Sequence, residues 1–309
     1  MEFMTNLVRL AVSVQLTLLR ALARHVSPGD RSYLARTLMA DRFDPRTTAL
    51  ADLFDKGLMA WKNKQYAVEI NGEEALLGRL KPFGPKILFD VGANIGEWAL
   101  AAHRQLPGVA VHSFEIAPPT AAILTQNVTE AGANVVVNDF GLGATDGAIT
   151  LYFTPDYTLG ASTVRDAVAM TAADLGISEI QEIAARIITG DEYLRTANID
   201  HVDLLKIDVE GAEESVFKGF KDAFARGAID LVQFEYGPLN LSTRYLLADA
   251  DRYFTERGFI MGKLYPEGIA FKTFEFVDED LVGPNYVACR ADRPDLIAAL
   301  RCPVPKAAS

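Results

Sequence analysis

The sequence has few of the residues that bind transition metals or staple small folds. Its 309 residues include two cysteines, Cys289 and Cys302, and four histidines. Two cysteines make neither a disulfide framework nor a C-x-x-C metal site, and no histidines stand at zinc-ligand spacing. Long uncharged apolar runs are also missing. The segment Leu7 to Leu22 is apolar but carries Arg9 and Arg20, and the run between them, Leu10 to Leu19, is too short to span a bilayer. No convincing small-residue cleavage site follows, so the expectation is a cytoplasmic protein with no transmembrane segment. Met1-Glu2-Phe3 ahead of Met4 reads as a cloning remnant. Positive charge is scarce, with 30 Lys and Arg against 41 Asp and Glu and a net charge of −11. That balance disfavours nucleic acid or an anionic membrane as a partner and leaves a small molecule open.

Half of the residues are hydrophobic, enough for a substantial core. The stretch around which the chain is organised is Lys86-Ile-Leu-Phe-Asp-Val-Gly-Ala-Asn-Ile-Gly96. Ile87, Leu88 and Phe89 read as a buried strand. Asp90, Gly92, Asn94 and Gly96 read as a tight turn, and the spacing then becomes helical. A strand, a glycine turn and a helix N-terminus make a ligand cradle, because glycines admit a ligand to the backbone and free helix N–H groups bind its polar atoms. A dinucleotide fingerprint needs G-x-G-x-x-G. Here Asn94 replaces the middle glycine and Asp90 precedes the turn, which suits a ligand with a cationic amino-acid end better than a pyrophosphate. Glu115 closes the next apolar run, where an acid accepts ribose hydroxyls in either ligand class.

From Ile87 the pattern alternates strand and helix. Strands are expected at 87–91, 110–115, 134–139, 202–208 and 230–235, and helices at 95–106, 118–131, 211–225 and 243–257. That rhythm implies an α/β fold with a mostly parallel sheet and a site at the carboxyl ends of its strands. Ahead of it, residues 1–69 read as a helical section with helices at 4–26, 34–39 and 48–61. The first suits packing on the main domain, on a second copy in a homodimer, or on a membrane surface. A short helix follows Asn71-Gly72 at 73–80. Residues 147–153 alternate as an extra strand, 158–163 read as a flexible polar segment, and 168–186 as helical. The span 140–190 exceeds a plain crossover and is a candidate substrate-facing insertion. Phe259–Leu264, Ile269–Phe276 and Pro284–Arg290 read as strands with no helices between them, which implies a locally antiparallel edge.

Val202-Asp-Leu-Leu-Lys-Ile-Asp-Val-Glu-Gly-Ala-Glu213 reads as a strand ending in acids and glycine before a helix. Asp208 and Glu210 point the same way in extended chain. Glu235 ends the next strand, so neighbouring strands would bring Asp208, Glu210 and Glu235 together beside the first turn. Grouped carboxylates can take a proton from a substrate hydroxyl, hold Mg²⁺, or grip a cationic ligand. Glu213 reads as a helix cap. Lys206 either pairs with an acid or is an ordinary strand lysine. His112 and His201 are weaker base candidates, the latter at the wrong end of its strand.

These stretches, Phe89–Gly96, Ser113-Phe-Glu115, Gly141-Leu-Gly143 with Asp146-Gly147, Asp203–Glu213 and Phe234-Glu235, resemble the FkbM-type methyltransferases over about residues 70–290. The resemblance implies a Rossmann-like class I methyltransferase domain at 70–309 that uses S-adenosylmethionine and commonly O-methylates sugars or secondary metabolites. It implies that Asp90, Gly92, Asn94 and Gly96 cradle the methionine end and that Glu115 holds the ribose. Asp139 and Phe140 would flank the adenine, although Phe140-Gly141 stands where a small aliphatic pair is more usual. Asp208 would lie near the sulfonium, and Glu210 and Glu235 near the acceptor. The expected function is O-methylation of a small-molecule hydroxyl, with Asp208, Glu210 and Glu235 catalytic and Mg²⁺ a further candidate. The alternatives are an NAD-linked oxidoreductase and a non-catalytic cofactor binder.

Overall fold

The computed structural model describes residues 26–154 and 157–303. The helix expected from Met4 lies almost wholly outside the described residues. The chain divides into two compact units, Met1–Trp61 and Lys62–Ser309. The first contains α1 (Pro28–Leu38), whose N-cap Ser27 accepts the Asp30 N–H, and α2 (Pro45–Trp61), which has no buried residue. Among the described residues no helix is long and apolar enough to cross a membrane.

The second unit is built on an eight-stranded sheet. Its opening helix is α3 (Glu73–Leu80), set by the turn at Asn71-Gly72. Then come β1 (Ile87–Val91), α4 (Glu97–Gln105), β2 (Ala110–Phe114), α5 (Pro118–Glu130) and β3 (Val135–Asn138). After an insertion, β8 (Val202–Ile207), α8 (Glu213–Gly219), α9 (Lys221–Ala225) and β9 (Ile229–Glu235) resume the pattern. β1 pairs in parallel with β2 and β8, β2 with β3, and β8 with β9. Leu88, Phe89, Leu204, Leu205, Leu231 and Val232 are buried, as strands covered on both faces require. The two expected core strands therefore lie side by side, and their carboxyl ends meet.

The last strands are β10 (Phe259–Tyr265), β11 (Gly268–Phe271) and β12 (Asn285–Arg290). β12 slots between β9 and β10 and runs antiparallel to both, while β11 forms the outer edge. The expected antiparallel end is present, but the strand expected to reach Phe276 stops at Phe271. Phe276–Asp278 is instead a single 3₁₀ turn.

The insertion is a second, four-stranded sheet. It consists of β4 (Gly141–Leu142), β5 (Gly147–Thr154), β6 (Tyr157–Ser162) and β7 (Gln181–Ile188), in the order β4-β7-β5-β6, with α6 (Arg165–Leu175) between β6 and β7. α7 (Gly190–Thr196) then leads back to β8. Two expectations are corrected here. The segment 158–163 is mostly strand, because its backbone pairs antiparallel with β5. The helix expected over 168–186 ends at Leu175, where Gly176 takes a left-handed cap; Gln181–Ile188 then pairs antiparallel with β5 and ends in the buried Ile187 and Ile188.

Gly92 directly follows β1 with φ +76°, and a Cβ there would lie 1.7 Å from the Asp208 carbonyl oxygen. The close approach of these two backbones is what brings the first turn and the acid-ended strand into one site. Gly92→Ala should cost more than about 2 kcal/mol in denaturant unfolding. Gly108→Ala, at φ +90° in open space, should cost only about 1 kcal/mol. Equal costs would contradict the close approach.

Candidate active site

The carboxyl ends of β1, β2, β8 and β9 surround a cavity of about 640 Å³. Gly92, Ala93 and Asn94 form one wall, and Asn94 takes φ +49°, a left-handed conformation that asparagine tolerates. Glu115 forms the next wall. It is buried; one carboxylate oxygen accepts the Asn94 N–H and the other the Ala117 N–H, each at 2.8 Å. Each oxygen keeps a lone pair for a ligand hydroxyl. Burial pushes the Glu115 carboxyl above its ordinary pKa.

Beneath the turn lies a buried ion network. The Lys206 ammonium is 3.1 Å from Asp90, 3.4 Å from Asp208, and donates to the Gly92 carbonyl at 3.1 Å. Asp90 is fully buried, so it braces the turn from below rather than lining the cavity. Burial alone would favour neutral lysine, but the Asp90, Asp208 and Glu73 carboxylates outweigh it and raise the Lys206 pKa. Glu73 is also buried and lines the cavity; it accepts hydrogen bonds from Asn71 and Gln233. Burial raises its pKa too.

The structure brings the three expected acids together. Asp208, Glu210 and Glu235 offer oxygens within 4.8 Å of one another and line the cavity. Glu210 stands at φ +55° in a loop that Glu213 ties down by accepting the Val209 and Gly211 N–H groups. Glu213 thus holds the loop as well as the helix start, and Asn240 donates to its other oxygen. Ser162 of β6 donates to the Glu210 carbonyl at 2.9 Å, so the insertion touches this loop. Burial, then the charges of Asp208 and Glu213, push Glu210 up to about 8. Burial with the charges of Asp208 and Glu210 lifts Glu235 well above its usual value.

Other expected residues lie elsewhere. Gly96 caps α4 at φ +94°, and a Cβ there would sit 2.6 Å from Leu124, so it serves the packing of α4 on α5. Asp139 is exposed. Phe140 turns its ring toward Phe114 and Tyr193, with the Arg186 guanidinium above it, so neither Asp139 nor Phe140 lines the cavity. Ile116, Thr120, Gly141 and Leu142 line it in that region. His201 sits at the opposite end of the sheet, 3.3 Å from Asp230, and His112 is 2.7 Å from the Tyr193 hydroxyl. Sequence reasoning missed Glu73, Tyr66 and Trp98. Trp98 directly follows Gly96-Glu97, a usable signal, whereas Glu73 and Tyr66 precede the strand pattern and carry none.

The cavity fits a nucleoside ligand with an amino-acid end. Its size accommodates one with room for a second small molecule. Three lining residues, Asn94, Trp98 and Thr120, carry buried polar atoms with no hydrogen-bond partner among the described residues. Buried polar atoms are rarely left so unless a ligand or water completes them.

The strand order, with β12 inserted antiparallel between β9 and β10, and an acid-walled cavity at the carboxyl ends define a Rossmann-like class I methyltransferase fold. The chain belongs to the methyltransferase FkbM domain family, whose model matches residues 90–261. Among curated relatives, the 31-O-demethyl-FK506 methyltransferase FkbM of Streptomyces tacrolimicus is 33% identical over 156 residues, 44% of this chain and 60% of that protein. The hexuronic acid methyltransferase AglP of Haloferax volcanii is 28% identical over 164 residues, 53% of this chain and 62% of that protein. The chain thus spans about three fifths of the length of these relatives. A solved methyltransferase FkbM from Methylobacillus flagellatus aligns with a TM-score of 0.42 at 16% identity, covering 66% of this chain and 43% of that one.

Lys206→Met would leave Asp90 buried without a counter-charge. Breaking such a pair should cost about 3–5 kcal/mol, read by chemical denaturation. A loss below about 1 kcal/mol would show that the network does not brace the turn.

Proposed function

We propose that this chain is an S-adenosylmethionine-dependent O-methyltransferase that acts on a hydroxyl of a small molecule. The observation that carries the reading is the meeting of Asp208, Glu210 and Glu235 in the same cavity as the Gly92–Asn94 turn and Glu115. Family membership supports the methyltransferase class, and one relative is named for a 31-O-demethyl substrate, which favours oxygen as the acceptor. It also argues against the NAD-linked alternative.

S-adenosylmethionine, when bound, supplies an electrophilic methyl group. The turn at Gly92 and Asn94 receives the methionine end, and Glu115 the ribose hydroxyls. Ile116, Thr120 and Leu142 receive the adenine in place of Asp139 and Phe140. An aliphatic hydroxyl is a weak nucleophile at neutral pH, so alignment and proton removal both matter. The pair Glu210 and Glu235, in its ionised form, would take the proton of the acceptor hydroxyl, while the cofactor would supply the methyl group, its S–CH3 bond breaking as the O–CH3 bond forms, and leave as S-adenosylhomocysteine. The proton then passes to solvent. Asp208, held by Lys206, sits between this base and the turn and favours positive charge there.

A second reading keeps Mg²⁺, because the three carboxylates offer oxygen ligands within reach of one ion. Association of two copies through the N-terminal helices is part of the proposal as well; α2 has no buried residue, and light scattering reads the mass.

Three outcomes follow for a radiolabelled methyl-transfer assay over a panel of polyols and polyketides. The ionised pair is the active form, so kcat/KM should rise with pH through about 8. A flat profile would remove the pair as base. Glu235→Gln should lower kcat by about 10²–10⁴ with bound cofactor retained. EDTA should slow turnover if Mg²⁺ bridges the acids, and an unchanged rate would remove the metal. Cofactor binding without turnover on any acceptor would favour a non-catalytic binder.

A further inference from the structure

We propose that the acceptor carries an ammonium group close to the hydroxyl it presents, as an amino sugar or aminocyclitol does, and that Glu210, Glu235 and the Tyr66 ring hold that group. The proposal rests on the O-methyltransferase reading above and names the class of its second substrate.

One carboxylate is enough to take one proton, yet three meet here, with oxygens within 4.8 Å of one another. Like charges so close repel, and a cation relieves them. Lys206 reaches Asp208, but it is already shared with Asp90. Glu210 and Glu235 have no ion pair among the described residues. The Glu210 carboxylate is largely buried in the cavity wall and accepts no hydrogen bond among the described residues. A buried carboxylate without a donor is rare unless a ligand or water completes it.

A second observation is independent of the acids. Tyr66 lines the same cavity and is 57% exposed. A Cβ built on Gly283 would lie 3.8 Å from the Tyr66 hydroxyl and 3.9 Å from the Gly237 Cα, which places the hydroxyl beside the chain that follows Glu235. Burial first, then the charges of Glu235, Glu210 and Asp208, raise the phenol pKa, so the ring stands within their field. An alkylammonium ion suits such a wall: the aromatic face attracts the cation, and the carboxylates accept its N–H groups.

The rest of the lining agrees. Its cations are Lys206, already paired, and the exposed Lys64, and it holds no arginine among the described residues. The insertion adds Ser162, Thr163 and Thr171, whose hydroxyls suit a polyol, and a further acid, Asp174. An acceptor with a carboxylate or phosphate would bring its charge against carboxylates with little to offset it. An ammonium instead favours the ionised pair. One carboxylate holds it, and the other takes the proton of the neighbouring hydroxyl as the S–CH3 bond breaks and the O–CH3 bond forms. The ammonium keeps its protons.

Saturation-transfer NMR on protein loaded with S-adenosylhomocysteine tests this without turnover. The probes are glucosamine, glucose and glucuronate, which share a ring and differ in charge. Wild-type protein should bind glucosamine at least about tenfold more tightly than glucose, and glucuronate most weakly. Glu210→Gln should erase the preference for glucosamine while S-adenosylhomocysteine stays bound. Tyr66→Leu should weaken glucosamine a few-fold and glucose less. No binding of glucosamine, equal affinity for glucosamine and glucose, or a preference for glucuronate would overturn the proposal. So would Mg²⁺ excluding glucosamine when both are present at equal concentration. If Glu210→Gln does not fold, the wild-type ranking and Tyr66→Leu decide the matter by themselves. Calorimetry reads S-adenosylhomocysteine in the same samples. Its failure to bind would sink the methyltransferase reading, whereas its binding without a charge preference among the sugars would sink this proposal alone.

Discussion

The site is held by one buried cation. Lys206 projects from β8 under the first turn and joins Asp90 of β1, Asp208 at the end of its own strand, and the Gly92 carbonyl. A fully buried carboxylate such as Asp90 is tolerable only with a partner, because burial without one forces it to neutralise or costs several kcal/mol. The lysine therefore fixes two neighbouring strands at their carboxyl ends and sets the turn at the height of Asp208. The close backbone approach of Gly92 to Asp208 follows from the same registration. What lies above the network, from Glu115 to Glu235, inherits its position from it.

The two compartments of the cavity differ in charge. Around the turn, carboxylates are matched: Asp90 and Asp208 by Lys206, and Glu115 by two backbone N–H groups. Beyond Asp208 they are not. Glu210 and Glu235 have no cation of their own among the described residues, and burial with mutual repulsion holds their protons into the neutral range or above. Such a pair is suited to exchange a proton with a hydroxyl near neutral pH. The insertion contributes by touching this loop: Ser162 bonds the Glu210 carbonyl, and Ala161 and Thr163 line the cavity beside it.

Much of this was legible in the order of the residues. The apolar runs gave β1, β8 and β9, because strands buried on both faces must be continuously apolar, and the shorter runs between helical stretches gave β2 and the edge strand β3. Acids at the ends of β8 and β9 gave the carboxyl cluster once the strands were taken as neighbours. Other features depended on contacts that a linear pattern does not carry. Residues 157–162 form a strand because β5 lies alongside. Residues 181–188, whose apolar positions also suit a helix, pair with β5 for the same reason. Phe140 looked like an adenine neighbour from its place after β3, but its ring packs against Phe114 and Tyr193 with Arg186 above it, at the margin of the core. The role of Lys206 was undecidable from sequence, since its partners come from two strands. Glu73 gave no signal, because Gln233, its partner, is 160 positions away.

On the proposed function, the cavity lined by Gly92, Asn94 and Asp208 receives a sulfonium cofactor with its sulfur between the Gly92 turn and Asp208. A crystal structure of the protein soaked with S-adenosylhomocysteine tests it most directly. The expected result is one ligand per chain, with ribose hydroxyls on Glu115 and sulfur facing Asp208, Glu210 and Glu235. An empty cavity at saturating ligand, or a ligand bound elsewhere on the chain, would contradict it.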